Sequence, residues 1–372
     1  MKKAANFFTK DIVFLIAFIF AIFSMFLVAP NLGYIDYINT TVLIIMFSLM
    51  IAVAGMKEAN LFSKIAIFLT SKFFTIRYIA LVLVVATFFL GMLVTNDAVL
   101  LTMVPFTIIV TRQTNQEKHA LLIVILQTFA ANMGASLTPM GDPQNIYLYA
   151  YYNIPFGEFI KTMLPITGTS LILLLVTTYF LIPNDFVNPI MVSPKLDRKN
   201  LLFYFLIFVI TILAVLGIIP AWVALINTMF WTLLKFRHLF KQVDYHLLLT
   251  FLMFFIFTGN LSTSTLFSDI FSGYLNTNYK VFFASLISSQ MISNVPASVL
   301  LSPFVSRDYA LPLLQGVNVG AMGTLIASLA SLITFKFVSK AFPEKKRLYI
   351  KTYTLLSIIY MIFISAVVLL SY

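Results

Sequence analysis

The chain has 372 residues, 61% of them hydrophobic and only 10% charged, with a formal net charge of +11 and no cysteine. Soluble domains carry roughly 25% charged residues, so a water-soluble enzyme is excluded: a core of this size could not hide so much apolar surface. The lack of cysteine removes disulfides, cysteine-linked haem and thiolate metal sites, and the basic residues flank apolar runs, as membrane-orientation charges do, without forming a nucleic-acid patch.

Apolar runs long enough to cross about 30 Å of hydrocarbon predict full spans near 11–29, 38–55, 119–152, 161–183, 200–218, 220–234, 245–260, 310–335 and 348–370. The first, from Asp11 to Pro30, has no small-x-small cleavage site and is not a removable signal peptide. Two further apolar segments, 78–111 and 279–306, carry polar tips, Thr95-Asn96-Asp97 and Ser293-Asn294-Val295-Pro296. Their short arms predict re-entrant helical hairpins. With the N-terminus in the cytoplasm, all but Lys161, Lys280 and Arg307 of the 24 Lys and Arg residues fall inside, as the positive-inside rule requires. The C-terminus is then outside, and the expected location is the inner (cytoplasmic) membrane.

An internal repeat runs through this pattern. TNDAVLLTMVPF (95–106) aligns with SNVPASVLLSPF (293–304), and NMGASLT (132–138) with NVGAMGT (318–324). Asn96 pairs with Asn294, Asn132 with Asn318, Gly134 with Gly320 and Thr138 with Thr324. Each half has the order amphipathic stretch, hairpin, interrupted helix, final span, and the hairpins open to opposite sides. The expected fold is an all-α polytopic membrane protein of two inverted repeats, each with a re-entrant hairpin and an interrupted transmembrane helix. Residues 1–77 and 185–278 would form a scaffold, and 78–184 and 279–372 a transport part. Inverted repeats with broken helices place substrate and ion sites near the bilayer midplane.

The first break, Gly134 to Pro143, contains two glycines and two prolines and cannot continue as an α-helix. Irregular backbone at membrane depth belongs where it is buried in protein or lines a wet cavity. Its carbonyls suit a cation. The second break, Gly320 to Thr324, has no proline and is the weaker signal. At the tips, Asn96 and Asn294 precede helices whose free amides suit an anion. Thr95, Asn96, Ser293, Asn294, Asn145 and Thr324 are therefore the candidate substrate contacts. Asp97, Asn132, Gly134, Ser136, Thr138, Asp142, Asn318 and Gly320 are the candidate cation contacts, with Na⁺ or H⁺ at Asp97, Thr138 and Asp142. Asp97 and Asp142 are the two carboxylates placed deep, and such groups are functional candidates by default. Their ungapped counterparts, Val295 and Ser328, are uncharged. Ordinary N-capping is the competing reading for Asn96, Asp97, Asn294 and Asp142.

These motifs resemble the ion transporter superfamily, which includes arsenite permeases, NhaD-type sodium/proton antiporters, citrate–metal permeases and divalent anion/sodium symporters. Asn96-Asp97 with Pro105 is similar to the arsenite-permease hairpin, and ANMGASLTPMGDPQN (131–145) to that branch's glycine-rich segment. The resemblance covers nearly the whole chain and implies a homodimer in which a mobile transport domain moves against a scaffold as an elevator. Divalent-anion symporters carry Ser-Asn-Thr at both tips; here Asp97 and Val295 replace that last hydroxyl, which counts against dicarboxylate recognition of that kind.

The function expected is secondary active transport of a small organic or inorganic anion coupled to Na⁺ or H⁺, with no other cofactor. Na⁺/H⁺ antiport and arsenite or antimonite efflux are the alternatives. No P-loop, HExxH or GxSxG occurs, so neither an ATP-driven pump nor an intramembrane hydrolase has a motif to support it.

Overall fold

The computed structural model describes residues 12–188 and 193–372. Lys2, Lys3, Lys10 and Asp11, which enter the expected N-terminal orientation, lie outside them. The described residues are helical, with one isolated antiparallel bridge between Thr75 and Phe186. Among the described residues, six helices are long and apolar enough to cross a membrane: Thr40–Glu58, Ile76–Leu93, Phe156–Leu181, Arg198–Val215, Tyr245–Ser262 and Pro343–Leu369. The chain is an all-α polytopic membrane protein.

In chain order, α1 (Ile12–Ser24), the short α2 (Tyr34–Tyr37) and α3 (Thr40–Glu58) lead to α4 (Leu61–Thr70). The first hairpin follows as α5 (Ile76–Leu93) and α6 (Asn96–Gln113), then the first broken helix as α7 (Glu117–Ala135) and α8 (Pro143–Tyr151), then α9 (Phe156–Leu181). The second half repeats this order: α10 (Arg198–Val215), α11 (Ala221–Lys235), α12 (Tyr245–Ser262) and α13 (Thr265–Tyr274) precede a hairpin of α14 (Asn278–Ile292) and α15 (Asn294–Leu301). The second broken helix is α16 (Ala310–Gly320) and α17 (Leu329–Ala341), and α18 (Lys346–Leu369) closes the chain.

Two arms differ from expectation. At 18 residues, α5 is about 27 Å long, close to spanning length, yet it ends at the polar tip. The returning arm α15 has only eight residues and passes into a 3₁₀ turn at Ser302–Phe304, because Pro303 lacks the amide needed to continue. First-repeat tyrosines serve the backbone freed there. Tyr152 donates to the carbonyls of Ser302 at 2.9 Å and Val305 at 3.1 Å, and the Tyr147 and Ser302 hydroxyls are 2.6 Å apart.

The two broken helices run in opposite senses. The first begins at one hairpin's base, where Arg112 pairs with Glu117 at 3.1 Å. It ends at the other base, where Arg307 donates to the carbonyls of Tyr152 and Asn153. The second begins just after Arg307 and ends at Ala341, whose carbonyl accepts from Arg112 Nη2 at 2.8 Å. Each hairpin base thus holds an arginine against the C-terminal end of the other repeat's broken helix, where the helix dipole favours a cation.

Candidate site between the two hairpin tips

The backbone at the first tip is extended through Val94 and Thr95 before α6 starts at Asn96. Asn96 Oδ1 accepts from the Asp97 amide at 2.8 Å, and its own amide donates to the Gly141 carbonyl at 3.2 Å. At the second tip Asn294 Oδ1 accepts from the Val295 amide at 2.9 Å, and its amide donates to the Ala327 carbonyl at 2.9 Å. Ser293 makes the turn with φ +77°, a region costly for a residue with a side chain.

The breaks match in the same way. Asp142 (φ −147°, ψ 143°) precedes α8 and Ser328 (φ −141°, ψ 137°) precedes α17. Neither side chain caps its helix. Asp142 Oδ2 instead accepts from Asn96 Nδ2 at 3.0 Å, and Ser328 Oγ donates to Asn132 Oδ1 at 3.1 Å. Asn132 Oδ1 also accepts from Asn96 Nδ2 at 2.9 Å, and Asn132 Nδ2 reaches the Ala321 carbonyl at 3.3 Å. Asn132 therefore links the first tip to the second break, and Asn96 links the same tip to the carboxylate. The capping geometry open to Asp142 from its sequence position is not the one adopted.

Both tips line one cavity of ≈ 40 Å³, room for a few water molecules; Asn96, Asp97, Asp142, Ser293, Asn294 and Ser328 supply polar groups, with Thr250 of α12 opposite. No Lys or Arg lines it among the described residues. Asp97 Oδ1 and Asn294 Nδ2 are buried with no partner among the described residues. An unsatisfied buried polar atom carries a desolvation cost of about 1–3 kcal/mol. One acceptor and one donor, on residues that line the same small space, offer contacts to a ligand of either polarity.

The other expected site residues are placed elsewhere. Thr138 Oγ1 donates to the Met92 carbonyl at 2.5 Å, and Thr324 Oγ1 to the Gln290 carbonyl at 3.1 Å. These equivalent ties fasten each break to its hairpin, and neither hydroxyl lines the cavity. Asn145 Nδ2 serves the carbonyls of Ala135 at 3.2 Å and Thr138 at 3.4 Å. Asn318 Nδ2 donates to Asn145 Oδ1 at 2.7 Å, and Ser136 Oγ to the Met133 carbonyl at 2.7 Å. Gly134 and Gly320 allow close helix contact: a Cβ would lie 2.0 Å from the Phe88 carbonyl oxygen at the first, and 2.7 Å from Ser289 Cβ at the second. Thr95 lines an adjoining cavity.

The second break forms without proline because side chains take up its backbone groups, as membrane depth demands. Gln290 Nε2 donates to the Gly320 carbonyl at 2.9 Å and its Oε1 accepts from the Thr324 amide at 2.7 Å. Ser357 Oγ lies 2.7 Å from the carbonyls of Met322 and Gly323. Gln290 and Ser357 carry no sequence signal for this. Ser328 does, as the register partner of Asp142.

The profile of a family described as citrate transporter matches residues 3–308. An uncharacterized transporter of Methanocaldococcus jannaschii is 34% identical over 292 residues, covering 78% of this chain and 79% of the other. The inner membrane protein YbiR of Escherichia coli is 28% identical over 300 residues, covering 80% and 79%. The crystal structure of the YdaH transporter of Alcanivorax borkumensis superposes with a TM-score of 0.57 over 91% of this chain and 86% of that one, at 13% identity. At that identity the superposition speaks for the fold alone.

Proposed function

The chain belongs to the citrate transporter family, and we propose that it is a secondary active transporter moving a small anion, an organic acid or inorganic oxyanion, together with Na⁺ or H⁺. The observation that carries this reading is the pairing of an unpartnered amide nitrogen, Asn294 Nδ2, with an unpartnered carboxylate oxygen, Asp97 Oδ1, at one cavity between two hairpin tips.

In this reading Asn294 and the first amides of α15 hold the anion, since a helix N-terminus carries roughly half a positive charge. Asp97 and Asp142 hold the co-transported cation, and the cation offsets the repulsion between anion and carboxylates. The hairpins and broken helices, bound by Arg112 and Arg307, move as one body against residues 1–77 and 185–278. Family resemblance supports that elevator arrangement and a homodimer, and the distribution of Lys and Arg supports an N-terminus on the cytoplasmic side.

The test is uptake of labelled citrate, then other organic acids and oxyanions, into proteoliposomes under a Na⁺ or a pH gradient. Accumulation that needs the ion gradient and is lost in Asp97→Asn supports the reading. The small free volume, ≈ 40 Å³, favours a second reading, Na⁺/H⁺ antiport at the same two carboxylates with no anion. Exchange that proceeds in the absence of any transported anion would select it.

A further inference from the structure

A second cavity, ≈ 170 Å³, shares Asp97, Pro143, Leu247 and Leu329 with the wall of the central one. Its outer part is lined by Lys57, Gln242 and Asp244. This is the side of the molecule on which His238 pairs with Glu58 at 2.8 Å and Gln242 donates to Glu58 at 3.2 Å. The central cavity therefore adjoins a wider space that leads toward the end of α3.

Lys57 is half-buried in that wall. The ion pairs among the described residues are Arg112–Glu117, Lys118–Asp185 and His238–Glu58, so the Lys57 ammonium takes part in none. Asp244, the carboxylate in the outer wall, is committed to its own helix: Oδ1 accepts from the Leu247 amide at 3.1 Å. Gln242 is turned to Glu58. Lys57 is thus a basic group free to serve a passing ligand, in a route whose inner end has no basic side chain.

We propose that the cavity beside Lys57 is the access route to the hairpin-tip site in this conformation, and that Lys57 is its specificity-determining cation, drawing anions inward past Asp97. The identity of the cargo as an anion rests on the transport reading above; the route does not. A lysine in the last turn of a helix also suits the helix dipole, and that role alone would leave the selectivity of the route unchanged.

The chain contains no cysteine, so one introduced thiol reports without background. Leu329→Cys places it on the wall shared by the two cavities. Right-side-out and inverted membrane vesicles would be treated with an anionic and a cationic methanethiosulfonate. The thiol is expected to react from the Lys57 side. Lys57→Met should slow the anionic reagent and speed the cationic one by up to about fivefold each, the worth of one unit charge near contact in water, so the anionic-to-cationic rate ratio falls by up to about 25-fold. Lys57→Arg should keep the ratio and Lys57→Gln should match Lys57→Met. Reaction only from the opposite face, or a ratio indifferent to Lys57→Met, overturns the proposal. Labelled citrate flux in the same vesicles separates the two readings. Without citrate flux the labelling result still decides the route, whereas citrate flux with an unchanged reagent ratio removes Lys57 and leaves transport standing.

Discussion

Asn96 and Asn294 occupy equivalent hairpin tips but differ at one atom: Asn96 Nδ2 donates to Asp142 Oδ2 at 3.0 Å, whereas Asn294 Nδ2 has no partner. The difference follows from two positions. Asn132 also accepts from Asn96 Nδ2 at 2.9 Å, whereas its counterpart Asn318 is turned to Asn145. Asp142 in the first repeat is Ser328 in the second, and the Ser328 hydroxyl is turned to Asn132. The repeat is therefore symmetric in backbone and asymmetric in charge, which leaves a buried amide donor without a partner at one tip and carboxylates beside the other.

Asn96→Ala and Asn294→Ala should separate stability from binding. Asn96→Ala leaves Asp142 and Asn132 short of a buried donor, at a cost of about 1–3 kcal/mol. Asn294→Ala removes a local turn bond to Val295 and a nitrogen with no protein partner, so it should cost less. Thermal unfolding in detergent should rank Asn96→Ala as the less stable variant, while ligand-induced stabilisation by an anion should be lost in Asn294→Ala.

Asp142→Asn and Asp97→Asn should alter ion coupling. Asp142 does not cap α8, and Asp97 Oδ1 has no partner, so capping gives neither side chain a structural reason for its charge. Uptake in proteoliposomes titrated against Na⁺ and against pH is expected to lose its ion dependence. Unchanged dependence in both variants would reduce them to structural residues.

Gly134→Ala should be far more damaging than Gly168→Ala. The added methyl meets the Phe88 carbonyl oxygen at 2.0 Å in the first case and nothing within 4 Å in the second. Overpacking against backbone costs about 3 kcal/mol, whereas replacing glycine inside an open helix face gains up to about 1 kcal/mol. Yield of monodisperse protein and unfolding temperature should diverge accordingly.

Arg307→Gln should slow transport with little loss of ligand affinity. Its guanidinium binds the Tyr152 and Asn153 carbonyls at a hairpin base, and the hairpin-tip cavity is not lined by it. Initial rates and half-saturation concentrations, measured on the same preparation, distinguish a rate effect from a binding effect.

Much of this arrangement was legible in the residues. Two polar tips inside apolar segments located both hairpins, and the register pairing Asn132 with Asn318 also pairs Asp142 with Ser328, the correspondence the backbone angles carry. That register also pairs Thr138 with Thr324, whose hydroxyls tie each break to its hairpin. Their repetition reflects a tie that each hairpin needs, and repeated residues mark shared scaffold as readily as a shared site. Lys57 was not legible, because its position at the end of an apolar run is also what membrane orientation demands. Gln290 and Ser357 satisfy the second break from other elements, and no local pattern announces such a long-range bond.

The most direct measurement is ion flux with and without anion in proteoliposomes of the purified protein. Liposomes carrying a Na⁺ or a pH gradient would be followed with a pH-sensitive dye while citrate and other organic acids and oxyanions are supplied outside. Ion-coupled anion transport requires an anion that accumulates only under the ion gradient and whose addition starts coupled cation movement, both abolished in Asp97→Asn. Rapid Na⁺/H⁺ exchange in liposomes free of any such anion, unchanged when each is added, would contradict it.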